Sequence, residues 1–436
     1  MSKIQIMDEN LANKIAAGEV VEKTMNVVKE LVENSIDAKS TTIKVELIDS
    51  GVKEIIVTDD GIGMDKEDAI LAFSRHATSK LKTLEDLFNI ESLGFRGEAL
   101  PSIASVSNVI LKTSNGTTGT EVHIDGGKIK DIINSDLRCG TKIIVSNLFY
   151  NTPVRLKYLK NLYTELSNIT DYINKMALSF PNISFTLINN GKILLNTDGS
   201  GNRLKVIHSI YGLDITKKMI EVKGENDDYI IEGYISYPEV TRSNKNAITT
   251  LVNGRVIKNN ELNKIISECY HTYIPSDKYP VAVINIEVDP ILIDINIHPT
   301  KMDIKFSKIK ELKELLVFII SNKLKKLTLI PKVEVKENKT ITSNNIIETS
   351  TTANTDTLFL DDIEEDVPLY KQTEEITFNF EVNETIEEHN NPEERIKKMY
   401  PVGLVHGTYI IAENEDGMFI IDQHAAAERI NYEKYL

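Results

Sequence analysis

The 436-residue chain contains no tryptophan, only two cysteines and no run of apolar residues long enough to cross a membrane. Cys139 and Cys269 form neither a CxxC pair nor a disulfide framework, which fits a reducing compartment and favours the cytosol. A membrane span needs ~18 consecutive apolar residues, so no membrane partner is expected. The N-terminus also lacks the apolar core of a signal peptide, because Asp8, Glu9 and Asn13 interrupt it.

The chain also lacks an excess of basic residues, since 65 Asp and Glu stand against 50 Lys and Arg and the formal net charge is −15. A total this acidic argues against a surface coated with positive charge. Its distribution is uneven: residues 1–332 hold 42 acids and 42 bases, whereas residues 333–394 hold 17 acids and three lysines. The excess acid therefore belongs to one segment, and a local basic surface for DNA phosphates stays open.

This acidic segment is rich in Thr, Asn and Glu and shows no sustained apolar period. Such a composition cannot bury enough apolar surface to offset chain entropy, so residues 333–396 are predicted to form a disordered linker. Beyond it, PVGLVHGTYIIAENEDGMFIID predicts a strand, a polar turn at residues 413–417 and a second strand, followed by a helix. A hairpin and one helix are too little for a stable domain, so residues 397–436 are interpreted as the start of a larger one.

Residues 27–38, VVKELVENSIDA, have the apolar spacing of a helix. Glu30, Glu33, Asn34 and Asp37 fall at i, i+3, i+4 and i+7, which places carboxylates and an amide along one helix face. Such a stripe, taken alone, is most often a solvated surface. The segments that follow it favour a binding site instead.

The next segment, KEIIVTDDGIGM, is a short apolar strand that runs into a turn with two glycines, which permit close backbone approach to a ligand. Further on, SLGFRGEAL places glycines before a predicted helix, where backbone N–H groups could hold a phosphate. Between them, RHATSK is a polar stretch that could cover a nucleotide as a lid. Each motif is weak by itself, but the three in this order within one hundred residues predict a nucleotide site.

The runs ELVENSIDA, DDGIGM, FSRHATSK and GFRGEAL resemble the signature of the GHKL ATPases, and within them of the MutL family of DNA mismatch repair proteins. LANKIAAGEVV and GTKIIVSNLFYNTPVRLKYL extend this resemblance over essentially the entire chain. It implies an α/β (α+β) fold: a GHKL ATPase α/β sandwich in residues 1–202 and a ribosomal S5 domain 2-like transducer domain in residues 203–332. The linker and the start of a C-terminal dimerisation and endonuclease domain would follow.

The resemblance also implies roles for individual residues. Glu30 would be the general base for the attacking water, and Asn34 would ligate Mg²⁺. Asp59 would accept a hydrogen bond from the adenine amino group above Thr141, while Lys301 of the second domain would reach the γ-phosphate. The other implied nucleotide contacts are Gly61 and Gly63 beside the base, Thr78, Ser79 and Lys80 in the lid, and Gly94, Phe95, Arg96 and Gly97 around the phosphates. One departure is Asp60, which stands where many relatives carry Asn; ATP binding is expected to survive it.

The same resemblance implies contacts with DNA. Arg255, in VNGR, corresponds to a DNA-contacting arginine of the family, although an arginine in a turn is often only solvated. Arg155, Lys157 and Lys160 could add to a positively charged groove. The implied partners are DNA, the mismatch-recognition protein MutS, a second copy of the chain through an ATP-dependent N-terminal dimer, and a replication clamp bound through the linker or C-terminal region.

The C-terminal run DQHAAAERINYE resembles the motif of family members that nick DNA. It places Asp422, His424, Glu428 and Glu433 as part of a Zn²⁺ or Mn²⁺ site, although a helix capped by an Asp explains the pattern equally well. The family completes that site with residues that do not follow Leu436, so metal-dependent nicking by this chain is not expected.

These observations predict an ATP-binding, slowly hydrolysing DNA clamp that links mismatch recognition to strand incision and excision. Two alternatives stay open at this point. One is a non-catalytic scaffold gated by nucleotide, and the other is a different GHKL ATPase such as a topoisomerase subunit, a histidine kinase or a chaperone. Glu30 separates the enzyme from the scaffold, because only the enzyme needs a general base.

Overall fold

The structure is a computed structural model that describes residues 20–80, 93–94, 97–136, 138–158, 161–294, 304–327 and 398–435. Two compact units divide after Lys323. The predicted linker lies outside the described residues, as do Phe95, Arg96, Lys160 and Lys301 and the side chain of Glu433. Within the ranges just given, no helix combines the length and apolar character that a bilayer crossing requires.

An eight-stranded mixed sheet forms the first layer of the first unit, in the order β5-β4-β3-β6-β2-β1-β7-β8. Neighbouring strands are antiparallel except β1 and β7, which pair in parallel with Thr42 opposite Ser184. The strands are β1 (Thr42–Ile48), β2 (Glu54–Asp59), β3 (Asn108–Ser114), β4 (Gly119–Asp125), β5 (Lys128–Asn134), β6 (Gly140–Ser146), β7 (Ser184–Asn189) and β8 (Lys192–Asn196).

The helices of this part are α1 (Thr24–Asp37), α2 (Lys66–Leu71), α3 (Ala99–Ser105), α4 (Pro153–Tyr158), α5 (Leu162–Ser179), α6 (Arg203–Tyr211) and α7 (Leu213–Thr216). Alternate residues of β1 and β2 are buried, as expected for strands with one face on a core. The apolar stripe of α1, Val27, Val28, Leu31 and Val32, is fully buried in the same core cluster. The result is the α/β sandwich that the family resemblance implies, and the polar stripe of α1 is only partly buried.

A five-stranded sheet follows, in the order β13-β12-β15-β10-β9. Its strands are β9 (Met219–Glu225), β10 (Tyr229–Ser236), β12 (Ile248–Val252), β13 (Arg255–Ile257) and β15 (Ala282–Val288); the short strands nearby are β11 (Thr241–Arg242), β14 (Tyr279–Pro280), β16 (Ile293–Asp294) and β17 (Lys305–Phe306). Helices α8 (Asn260–Tyr270) and α9 (Ile309–Lys325) accompany them. The turn between β12 and β13 uses Asn253 and Gly254, both at positive φ, which is the preferred geometry of a two-residue hairpin.

The C-terminal piece is a three-stranded antiparallel sheet followed by a helix: β18 (Tyr400–Val405), β19 (Tyr409–Asn414), β20 (Gly417–Asp422) and α10 (Gln423–Tyr435). The sequence-based prediction of a single strand before the polar turn is wrong here. The chain reverses at His406 and Gly407, which both adopt positive φ, so that β18 and β19 are separate strands. The predicted second strand and helix are present.

Candidate nucleotide-binding site

Two adjacent strands bring Asp59 and Thr141 together. In the β2–β6 ladder Asp59 lies opposite Thr141, whose backbone N–H donates to Asp59 Oδ1 at 3.2 Å. The other Asp59 oxygen accepts from the Ser35 hydroxyl of α1 at 2.8 Å, and Oδ1 also accepts from Gly61 N–H at 3.0 Å. Burial raises the pKa of Asp59, and these hydrogen bonds act in the opposite direction. The carboxylate is therefore fixed in orientation by three elements of the site.

The glycines of the DDGIG turn are needed first for contact with the protein itself. A Cβ at Gly61 would lie 2.7 Å from the Ala38 carbonyl oxygen at the end of α1. At Gly63, where φ is +64°, a Cβ would lie 1.9 Å from the Ser114 carbonyl oxygen. The turn is thus pressed against both α1 and the end of β3, which holds it beside Asp59.

Asp60 is held by the segment at the start of β1. Its carboxylate accepts from the backbone N–H groups of Thr41 and Thr42, both at 2.8 Å, and from the Thr41 hydroxyl at 2.6 Å. Partial burial would raise the pKa of Asp60, but these hydrogen bonds together outweigh it and lower the pKa. Its charge is therefore used to hold the loop before β1.

The last turn of α1 meets the predicted lid and phosphate loop. The Lys80 ammonium donates to Asn34 Oδ1 at 3.0 Å and to Asp37 Oδ2 at 2.5 Å. The Asp37 carboxylate also accepts from the backbone N–H groups of Leu93 at 2.9 Å and Gly94 at 3.1 Å. The predicted Mg²⁺ ligand, the lid lysine and a phosphate-loop glycine are therefore in one place.

The lid and the phosphate loop also contact each other directly. His76 N–H donates to the Gly97 carbonyl at 3.2 Å, and a Cβ at Gly97 would lie 2.4 Å from the Ala77 carbonyl oxygen. Gly97 has a φ of +63°, a conformation that glycine adopts without strain. Thr78 and Ser79 lie in the exposed part of the lid, where the Thr78 hydroxyl accepts from Lys80 N–H at 3.1 Å.

Glu30 and Glu33 have different surroundings although both lie on the polar side of α1. The side chain of Glu30 is one quarter exposed, with Lys29 Nζ 3.8 Å away. Glu33 is turned towards α5, where the Tyr172 hydroxyl lies 3.3 Å from its carboxyl oxygen. Burial raises the pKa of Glu33 to about 7, against the lowering effect of Lys29. Glu30 is therefore the more accessible of the two, with 25% of its side chain exposed against 13% for Glu33.

Arg255 lies in a cleft between α1, α5 and the β12–β13 turn. The cleft is about 90 Å³, and its lining includes Glu33, Tyr172, Lys175 and Lys258. Burial lowers the pKa of Arg255, while the charges of Glu33 and Asp37 favour its ionised form. The Ser179 hydroxyl, at the end of α5, donates to the Gly254 carbonyl of the same turn. The predicted DNA contact of Arg255 is untested, but its guanidinium faces the acids of α1.

The remaining predicted residues are placed separately. Arg155, which is half-buried, and Lys157, which is exposed, lie on α4. In the C-terminal piece, Asp422 Oδ1 accepts from His424 N–H at 2.9 Å and so caps α10, and His424 Nε2 lies 3.9 Å from Glu428. No three metal-binding side chains come together among the described residues, and the second metal site stays a prediction.

Sequence reasoning missed the supporting residues Ser35, Tyr172 and Ser179. Ser35 had a signal, since it follows Asn34 on the same helix. Tyr172 and Ser179 had none, because they contact partners 139 and 75 residues away in the chain.

Three family models match this sequence. The one described as histidine kinase-, DNA gyrase B- and HSP90-like ATPase matches residues 22–138. The DNA mismatch repair protein C-terminal domain matches residues 207–325, and the MutL C-terminal dimerisation domain matches residues 402–436.

The chain is also similar to curated proteins named DNA mismatch repair protein MutL. That of Anoxybacillus flavithermus is 48% identical over 456 residues, which cover 100% of this chain and 75% of the relative. That of Listeria monocytogenes is 48% identical over 447 residues, which cover 98% of this chain and 74% of the relative.

Two solved structures share the fold. The N-terminal domain of a DNA repair protein aligns with a TM-score of 0.63 at 27% identity, over 72% of this chain and 98% of that one. The ATPase domain of the mismatch repair endonuclease MutL from Aquifex aeolicus aligns with a TM-score of 0.51 at 24% identity, over 69% of this chain and 99% of that one.

The sandwich, the buried Asp59 and the convergence of α1, lid and phosphate loop define an ATPase of the GHKL class. With relatives 48% identical over its length, the chain belongs to the MutL family of DNA mismatch repair proteins. The predicted fold class and function are confirmed, and neither a scaffold nor a topoisomerase subunit is favoured.

Proposed function

We propose that the chain is an ATP-gated DNA clamp in mismatch repair, in which Glu30 is the general base of slow ATP hydrolysis. The observation that carries the nucleotide part is the position of α1. Its Ser35 orients the Asp59 carboxylate predicted for the base, and its Asn34 and Asp37 face the lid lysine and Gly94. One helix thus links the predicted adenine end of the site to the predicted phosphate end.

The residues near Asn34 fit a cation. Its amide oxygen and the Asp37 carboxylate already hold the Lys80 ammonium, and oxygen ligands are those that Mg²⁺ prefers. Asn34 would hold Mg²⁺, which when bound would neutralise charge on the nucleotide phosphates. Glu30 lies one helical turn before Asn34 and remains accessible, so its carboxylate can take a proton from a water at the same end of the site.

The experiment is Glu30→Ala, with phosphate release and binding of a fluorescent nucleotide measured on the same samples. We expect turnover to fall at least about 100-fold, the contribution of a general base, while the nucleotide Kd stays within a factor of about two. Glu67→Ala, at an exposed site on α2, is the matched control. Wild-type protein that binds ATP but releases no phosphate would instead support the scaffold.

The DNA part of the proposal rests on the family and on two basic residues of α4, of which Lys157 is exposed and Arg155 is half-buried. We propose that Lys157, Arg155, Lys160 and Arg255 contact DNA. The partners would be MutS, a second copy of the chain through an ATP-dependent N-terminal dimer, and a replication clamp. The compartment would be the cytosol, where the two thiols stay reduced.

A further inference from the structure

The Lys80 ammonium donates a hydrogen bond to Asn34 Oδ1, the oxygen that is proposed to bind Mg²⁺. Lys80 Nζ is 3.0 Å from Asn34 Oδ1 and 2.5 Å from Asp37 Oδ2. The Asp37 side chain is 8% exposed and that of Lys80 is 23% exposed, so water screens this pair only partly. The lid lysine is thus anchored to the catalytic helix by its charge.

Asp37 connects three segments at once. Besides Lys80 of the lid, its two oxygens accept from the backbone N–H groups of Leu93 and Gly94. A carboxylate that accepts from an ammonium and two amides is strongly held in place. Asp37 therefore sets the positions of Lys80 and Gly94 relative to Asn34.

The ammonium and a divalent cation compete for the same oxygen. Mg²⁺ binds oxygen at about 2.1 Å, so on Asn34 Oδ1 it would lie within roughly 5 Å of an ammonium that is 3.0 Å from that atom. Two like charges at this separation, in a partly buried site, repel each other. Lys80 must move off Asn34 before the amide oxygen can serve a divalent ion.

We propose that Lys80 is a built-in competitor of Mg²⁺, held on Asn34 by the positioning residue Asp37. The inference rests on the proposed nucleotide site. Mg²⁺ held by Asn34 together with nucleotide would free the lysine from α1. Release of the lid lysine from α1 would thereby need both metal and nucleotide, and nucleotide without metal would leave Lys80 on the helix.

The test measures nucleotide binding with and without the metal, not turnover. The Kd of a fluorescent ADP analogue is determined in EDTA and in excess Mg²⁺. The ratio of the Kd in EDTA to the Kd in Mg²⁺ is then compared between variants. Lys80→Met removes the competitor and should increase this ratio by about fivefold or more, the size of a partly buried ion pair. A phosphate contact that Lys80 made in both conditions would cancel in the ratio, and one made only with Mg²⁺ would lower the ratio, so an increase reports the loss of the competitor.

Lys44→Met is the matched control, because Lys44 lies on β1 and pairs with Glu46 at 3.1 Å. Its ratio should equal that of the wild type. The role of Asp37 is tested by Asp37→Asn, which should raise the rate of Lys80 acetylation by acetic anhydride several-fold in nucleotide-free protein, as measured by mass spectrometry. The Lys44 acetylation rate in the same digest should not change.

A ratio in Lys80→Met that is unchanged or smaller overturns the proposal, as does an unchanged Lys80 acetylation rate in Asp37→Asn. Failure of the proposed function has a different signature. In that case the wild-type protein would bind no nucleotide in either condition, and no ratio would exist to compare.

Discussion

Among single residues, Gly63 has the tightest surroundings of the glycines at the site. Its φ is +64°, and a Cβ there would lie 1.9 Å from a backbone oxygen of Ser114, which cannot rotate away as a side chain would. Gly116 offers a comparison, since its φ is +88° but nothing lies within 4 Å of its Cβ position. A side chain at either position would be strained by the positive φ. Only at Gly63 would it also clash with the backbone.

Gly63→Ala should therefore lose nucleotide binding and destabilise the protein beyond the ~1–2 kcal/mol that a left-handed conformation costs an L-residue. Gly116→Ala should show only that conformational cost and keep its nucleotide affinity. Thermal unfolding and nucleotide titration of the two variants check this expectation. Equal losses in both would mean that the clash at Ser114 is relieved by a backbone shift.

Among the elements, α5 is the one that connects the others. Near its start, Glu165 accepts from the Thr24 hydroxyl of α1 at 2.5 Å; in its middle, Tyr172 contacts Glu33; at its end, Ser179 holds the Gly254 turn. This single helix contacts α1 twice and the turn of the five-stranded sheet once. Through these contacts α5 joins the β12–β13 turn to the helix that carries Glu30.

The buried Glu33 makes stability depend on pH in a defined direction. Its pKa is about 7 in the folded protein and 4.5 for the free side chain. Between these two pH values the folded state therefore holds a proton that the unfolded state has released. Stability from this group is present below about pH 4.5 and is lost as pH rises through about 7, by about 3 kcal/mol in all. Glu33→Gln cannot ionise and should escape this loss.

The measurement is urea unfolding of Glu33→Gln and wild type, without metal, from pH 5 to pH 8. The difference in free energy of unfolding should grow in favour of Glu33→Gln as pH rises, and other groups, such as Asp59, cancel in the difference. A difference that does not vary with pH would show that Glu33 ionises in the folded protein as it does in water.

Some elements of the fold could be predicted from the sequence and others could not. The helix over residues 27–38 and the strand before DDGIG follow from their apolar periods, and both are present in α1 and β2. The sandwich itself follows only from the resemblance to a family, since periodicity does not pair β1 with β7 across 140 residues. The split between β18 and β19 was missed because the turn at His406 and Gly407 is short and apolar residues flank it on both sides.

For the whole molecule, the net charge of −15 gives a poor guide to binding. Charge is balanced over residues 1–332, and the basic residues of α4 are exposed or half-buried. Contacts with DNA would be made to phosphates, whose neutralisation releases counterions and makes affinity sensitive to salt.

DNA affinity should accordingly fall steeply between 50 and 200 mM salt, the range over which a protein with several phosphate contacts loses about 10³ or more. Lys157→Glu should reduce the slope of log K against log salt by about one. Lys192→Glu, on the exposed edge strand β8, is the control and should leave the slope unchanged. Affinity that is independent of salt, measured by fluorescence anisotropy, would contradict the DNA part of the proposal.

The parallel pairing of β1 with β7 also sets the order in which the protein can become active during synthesis. Asp59, Asn34 and Lys80 have all left the ribosome long before Ser184 pairs with Thr42, and α1 gains its contacts with Glu165 and Tyr172 equally late. Closing so long a loop is slow compared with forming local hairpins. A nascent chain that ends before β7 would hold every predicted adenine contact and the α5 residues that contact α1, and yet lack the strand that pairs with β1, so ATP should bind only after about residue 189 has emerged.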